Sequence, residues 1–124
     1  MADQKPVDQK IDYIEFWAAD FAAIEAFYSK TFGWEFTSYG EEYLAFTDGK
    51  LDGGFSRTND PATVSNSLSG GALLILFAND LEATQEKVVA NGGKICREIF
   101  SFPGGRRFHF LDPHGNELAV WSDK

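Results

Sequence analysis

A chain of 124 residues, 44% hydrophobic and 24% charged, suits one globular domain with a proper core and is too short for two independent ones. Its formal net charge of −8 repels phosphate backbones and anionic lipid, and the clustered basic pair Arg106-Arg107 is too small to offset this, so neither nucleic acid nor membrane is expected as a partner. One cysteine, Cys96, excludes an internal disulfide and a four-cysteine zinc site; lying in a strand pattern, it reads as a buried, inert thiol.

Residues 1–9 are polar and carry no apolar signal core. No apolar run approaches the roughly 18 residues of a membrane span, so a cytoplasmic protein is expected. From Ile11 to Trp17 the pattern alternates: Ile11, Tyr13, Glu15 and Trp17 share one face of a strand, Asp12, Ile14 and Phe16 the other. Phe21, Ile24, Phe27, Tyr28 and Phe32 then recur at helical spacing, with Asp20 as N-cap and Gly33 as the stop. Trp34–Ser38 and Tyr43–Thr47 read as strands, and Asp48-Gly49 turns the chain into a third, Leu51–Arg57. The stretch Thr58–Gly70, rich in Asn, Ser, Thr, Pro and Gly, reads as a connection.

After the connection the pattern starts again. Ala72–Phe77 is apolar on both faces, as expected of a strand covered on each side. Leu81, Thr84 and Val88 mark a second helix, capped by Asn79 or Asp80 and ended at Asn91-Gly92-Gly93. Extended runs follow at Lys94–Phe102, Arg106–Leu111 and Glu117–Ser122, the last two joined by the turn Asp112-Pro113-His114-Gly115-Asn116. Asp20-Phe21 and Asp80-Leu81 stand at an offset of sixty residues. The chain therefore reads as an α+β domain of two βαβββ modules, one over about 10–57 and one over about 71–122. They are expected to share a curved, cup-shaped mixed sheet with the helices outside. Gly104-Gly105-Arg106 reads as a turn, with a small anion-binding loop as the sharper alternative.

Asp20 leading into Phe27-Tyr28, then Phe32-Gly33-Trp34-Glu35, Asn91-Gly92-Gly93 and Asp112-Pro113-His114-Gly115-Asn116-Glu117-Leu118 carry a resemblance over roughly Ile11 to Ser122. The chain resembles the vicinal oxygen chelate superfamily: glyoxalase I, bleomycin-resistance proteins, fosfomycin-resistance enzymes and extradiol dioxygenases. It looks closest to small glyoxalase-related proteins. The resemblance implies a cupped sheet in which His, Glu or Gln side chains hold a divalent metal that acts as a Lewis acid. The positions carried over by spacing are Tyr13, about Gly53, Leu73 and Ala119. Leucine and alanine offer no donor atom, glycine has no side chain, and a tyrosine alone cannot hold such a cation. The family divalent metal is therefore not expected, and no other cofactor is.

If those positions face inward, alternation brings Glu15 and Trp17 beside Tyr13, Ile75 and Phe77 beside Leu73, and Glu117 and Trp121 beside Ala119. His109 and Arg107 alternate against Phe108 and Phe110, which belong under the helices. Glu15 and His109 are the candidate acid-base residues. Tyr13, Trp17, Leu73, Ile75, Arg107, Glu117, Ala119 and Trp121 are the candidate ligand-binding residues. Glu15 also reads as a polar residue at the wet mouth of the cup, or one bonded to Arg107, and Glu15, His109 and Glu117 are the candidates for a displaced metal site. Two functions compete. One is a metal-free homodimer binding a small, partly aromatic molecule, as the bleomycin-resistance proteins it resembles sequester a cationic drug; the acidic balance is compatible with that. The other is a lyase or isomerase related to glyoxalase I, using Glu15 or a displaced metal. An accessory module with a closed cup is a third.

Overall fold

Asp20 and Asp80 open the two helices in the same way. Each sits in extended backbone, and its carboxylate accepts the N–H three residues on, from Ala23 and Ala83 respectively. The computed structural model describes residues 5–124. The first helix, α1, spans Phe21–Phe32, and the second, α2, spans Leu81–Ala90. Gly33 ends α1 with φ 74°, a left-handed conformation in which a Cβ is strained, and returns its N–H to the last-turn carbonyls of Tyr28 and Ser29. In α2 the cap is Asn91, and the left-handed residue is Gly92, one place later.

Each helix stands in the same sequence of strands. The first half runs β1 (Tyr13–Ala18), α1, β2 (Glu35–Ser38), β3 (Tyr43–Thr47) and β4 (Asp52–Arg57). The second runs β5 (Leu74–Phe77), α2, β6 (Lys94–Phe102), β7 (Gly105–Leu111) and β8 (Glu117–Ser122). Their sheets have the orders β1-β4-β3-β2 and β5-β8-β7-β6. In each, the first and last strands pair in parallel and the others antiparallel. The α+β reading as two βαβββ modules holds. Two compact units divide between Thr63 and Val64.

Alternation sorts each strand between a side packed on the helix and a helix-free side. In the first unit Phe16, Phe46 and Phe55 pack with Phe27, Tyr28 and Trp34; Tyr28 stacks on Trp34 at 4.4 Å and Trp34 on Phe46 at 4.6 Å. Burying side chains of this size stabilises by about 1.5–3 kcal/mol each, so the aromatic layer is the main support of the first sheet. In the second unit Leu81 and Val88 of α2 are buried, as are Phe108, Phe110, Leu118 and Val120 on the strands below.

Four expectations need correction. β1 starts at Tyr13, because Ile11 is 83% exposed and pairs with nothing. β5 is not covered on both sides: Ile75 and Phe77, on its helix-free side, are 44% and 50% exposed. Cys96 is exposed because it lies at a register shift of the edge strand β6, although partial burial and the charge of Glu117 raise its thiol pKa. The connection is also more than a spacer. From Val64 it belongs to the second unit, where the Ser65 N–H donates to Asn116 Oδ1 and Ser67–Ser69 forms a single 3-10 turn capped by Asn66. No helix among the described residues is long and apolar enough to cross a membrane.

Candidate functional site

On the helix-free side of the first sheet, β1 presents Tyr13, Glu15 and Trp17, as alternation predicts, all three exposed. The side chain that organises them is Tyr43 of β3. Its hydroxyl donates to Glu15 Oε2 at 2.9 Å and lies 2.6 Å from the Tyr13 hydroxyl. With the Tyr43 proton committed to the carboxylate, Tyr13 is the donor in the second bond. Tyr43 reaches over β4 because Gly54 lies there, directly opposite Glu15 on one neighbour and Ala45 on the other; a Cβ on Gly54 would collide with the Tyr43 hydroxyl. Burial pushes the Tyr43 phenol well above the ordinary tyrosine range, and the bonds to Tyr13 and Glu15 add to it. The partner that the structure gives Glu15 is thus Tyr43. Gly53 faces the helix side, where a Cβ would meet the Phe46 ring and the Ile14 carbonyl. The β4 residues that share a face with Tyr13 are Asp52, opposite Tyr13 itself, Gly54, opposite Glu15, and Ser56, opposite Trp17.

On the helix-free side of the second sheet, β7 places His109 opposite Ala119 and Arg107 opposite Trp121. β5 places Ile75 against Ala119 and Phe77 against Trp121, with the Phe77 and Trp121 rings edge to face at 5.2 Å. Leu73, half-buried, immediately precedes β5 and shares parity with Ile75. His109 is only 4% exposed, and its Nδ1 lies 2.8 Å from Glu117 Oε2. The other Glu117 oxygen accepts from both the N–H and the hydroxyl of Ser67, at 2.8 and 2.7 Å. Burial alone would raise the Glu117 carboxyl, but the Ser67 N–H, the His109 ring and the Ser67 hydroxyl outweigh it and bring it below the ordinary carboxylate value. An ionised carboxylate only accepts, so Nδ1 carries the hydrogen. While the ring is neutral, Nε2 is then a bare acceptor. That atom is buried and has no hydrogen-bond partner. Arg107 Nε is likewise buried without a partner, its guanidinium lying 5.3 Å from the Phe100 ring and 5.6 Å from that of Phe102.

The donor set does not fit the family's divalent cation. At the carried-over positions Leu73 and Ala119 present carbon, Gly54 leaves no room for a ligating side chain beside Tyr43, and the Tyr13 hydroxyl is engaged with Tyr43. Among the described residues, no three His, Cys, Asp or Glu side chains are grouped to hold a metal ion. Glu117 and His109 pair with each other. Gly104-Gly105-Arg106 is a tight turn whose arginine is held by both oxygens of Glu82, which leaves the anion-loop alternative without its cation.

Two surface depressions lie elsewhere. One of about 500 Å3 is bordered by Lys5, Lys10, Ile11 and Leu51, the other of about 430 Å3 by Gln85, Val89 and Ile95. Neither is lined by a candidate catalytic or ligand-binding residue, and both are open surface without a buried unpaired polar group. Tyr43 and Ser67 are the site residues that sequence reasoning missed. Tyr43 carried a usable signal, since it shares strand parity with Ala45 and Thr47 opposite the buried Leu44 and Phe46. Ser67 carried none, because its segment has no hydrophobic period.

The model of the Glyoxalase/Bleomycin resistance protein/Dioxygenase superfamily matches residues 10–120, and the chain belongs to that family. A glyoxylase-like domain-containing protein of Didymella fabae is 32% identical over 120 residues, covering 90% of this chain and 91% of its own. Among solved structures, a glyoxalase/bleomycin resistance protein/dioxygenase family enzyme from Burkholderia phytofirmans PsJN superposes with a TM-score of 0.74 at 15% identity, covering 91% of this chain and 98% of its own. Fosfomycin resistance protein FosX from Mesorhizobium loti also gives 0.74, at 14% identity, with 94% and 93% covered. At such identities the structural likeness establishes the fold alone.

Proposed function

We propose that this protein is a metal-free member of the family that binds a small, partly aromatic molecule on the helix-free side of its second sheet. The observation that carries the proposal is His109 Nε2, a buried ring nitrogen held in register by Glu117 and Ser67 and left without a partner. Leaving such an atom unpaired costs about 1–3 kcal/mol, and a ligand O–H or N–H recovers it. Ile75, Phe77 and Trp121 supply the apolar wall, and Tyr13 and Trp17 offer aromatic surface on the corresponding side of the first sheet. The same reading includes a cytoplasmic, two-fold homodimer, for which exposed Leu68 offers apolar area. A monomeric mass at micromolar concentration counts against the dimer.

An NMR screen of aromatic fragments in the presence of chelator tests the binding role. Hits are expected to perturb His109 and Trp121 without added metal. Hits that appear only after a divalent cation is supplied would overturn it.

The second reading is a lyase or isomerase related to glyoxalase I. What favours it is the Glu15 carboxylate, exposed and hydrogen-bonded to a phenol that stays protonated, an arrangement able to take a proton next to a carbonyl. Turnover of an oxo-compound that is abolished in Glu15→Gln would establish it in place of simple binding.

A further inference from the structure

Resting on the binding role above, we propose that the ligand is an aromatic hydroxycarboxylate whose carboxylate meets Arg107 and whose hydroxyl, across the ring, meets His109. The two residues alternate on one face of β7, and each has a buried atom without a partner: the N–H donor Arg107 Nε and the ring nitrogen His109 Nε2, an acceptor while the ring is neutral. Neither can satisfy the other through the strand. Side chains two apart on a strand stand about 6.6 Å apart, roughly the span between the hydroxyl and carboxylate oxygens of a para-substituted benzoate. An ortho isomer, whose two groups adjoin, matches that spacing less well.

The local charge agrees. Although the chain is acidic overall, the Arg97 and Arg107 guanidinium groups both lie over the Phe100 ring, at 3.6 and 5.3 Å from its centroid. The Phe100 ring is in turn 5.9 Å from the His109 ring. Glu117, the carboxylate of this face, is taken up by Ser67 and His109. A fixed cation without a carboxylate partner favours an anionic group, and planar guanidinium groups suit a planar carboxylate. The flanking Trp121 and Ile75 give the ring of the ligand a flat, apolar neighbour.

The test is titration of the full chain with 4-hydroxybenzoate, 2-hydroxybenzoate, benzoate and phenol, read by calorimetry and by the His109 ring resonances. The 4-hydroxy acid is expected to bind at least tenfold more tightly than the other three and to shift the His109 Nε2 signal. Arg107→Lys is expected to weaken it at least tenfold while leaving phenol unchanged, and His109→Phe to bring 4-hydroxybenzoate and benzoate to equal affinity. Circular dichroism establishes that each variant is folded; should either fail, the wild-type ranking and the His109 shift decide alone. Equal affinity of the two isomers, or binding of phenol but of no carboxylate, overturns this inference and leaves the binding role standing. Absence of binding by all four overturns the inference, and the role itself is then decided by the wider aromatic screen with and without a divalent cation.

Discussion

The Tyr43 hydroxyl occupies the space that a side chain on Gly54 would need. Its ring crosses β4 over that glycine to reach Glu15 and Tyr13. Gly54→Ala is therefore expected to destabilise the protein by about 1–3 kcal/mol, the usual cost of overpacking. In Tyr43→Ala the same glycine substitution should cost much less, so that a double-mutant cycle by urea unfolding gives a clear coupling. Additive effects would mean that Tyr43 does not lie over Gly54.

The depressed carboxyl of Glu117 makes stability depend on acidity in a definite direction. Its folded-state value lies below the ordinary 4.5, so at intermediate pH the unfolded chain binds more protons than the folded one. The stabilisation is fully present above the unfolded value and is lost as pH falls through the folded one. Glu117→Gln removes this dependence. The stability difference between wild type and variant should be constant near neutrality and shrink as pH drops below about 4.5; a difference that stays constant in acid would place the Glu117 carboxyl at its unperturbed value.

Tyr43 should behave in the opposite sense. Burial and its two hydrogen bonds hold the phenol above the ordinary 10.0, so phenolate absorbance from this residue should be missing at pH 11. Subtracting the alkaline titration of Tyr43→Phe from that of the wild type isolates it. A difference signal centred near 10 would contradict the hydrogen-bonded arrangement.

Ser67 acts on His109 through Glu117. Replacing it with alanine removes one hydroxyl donor to a charged oxygen but keeps the backbone donor. A loss of about 1–2 kcal/mol is expected, together with a rise of the Glu117 carboxyl toward its ordinary value. Proteins of equal stability and equal Glu117 titration would show that the connection does not brace the dyad.

Much of this architecture was legible because it rests on local rules. Asp20, Gly33 and Asp80 announce helix ends by backbone chemistry, and the alternation of Tyr13, Glu15 and Trp17 against Ile14 and Phe16 divides β1 between two environments. His109 was assigned to the helix-free side by the same parity, against Phe108 and Phe110. What escaped depends on contacts far apart in sequence. Nothing local tells that Ser67 meets Glu117, fifty residues away, or that Tyr43 reaches Glu15, twenty-eight away. The apolar run at Ala72–Phe77 suggested cover on both sides, yet hydrophobicity does not distinguish a buried face from one kept open, and Ile75 and Phe77 are exposed. Cys96 misled in the same way, since a strand pattern does not reveal an edge.

The measurement that bears most directly on the central claim is the metal content of the full chain purified without chelator, followed by aromatic-ligand affinity with and without added zinc, nickel, manganese or iron. The account predicts far less than one equivalent of any of these metals and an affinity that does not change when they are added. One tightly held equivalent, lost in His109→Phe and required for ligand binding, would contradict it.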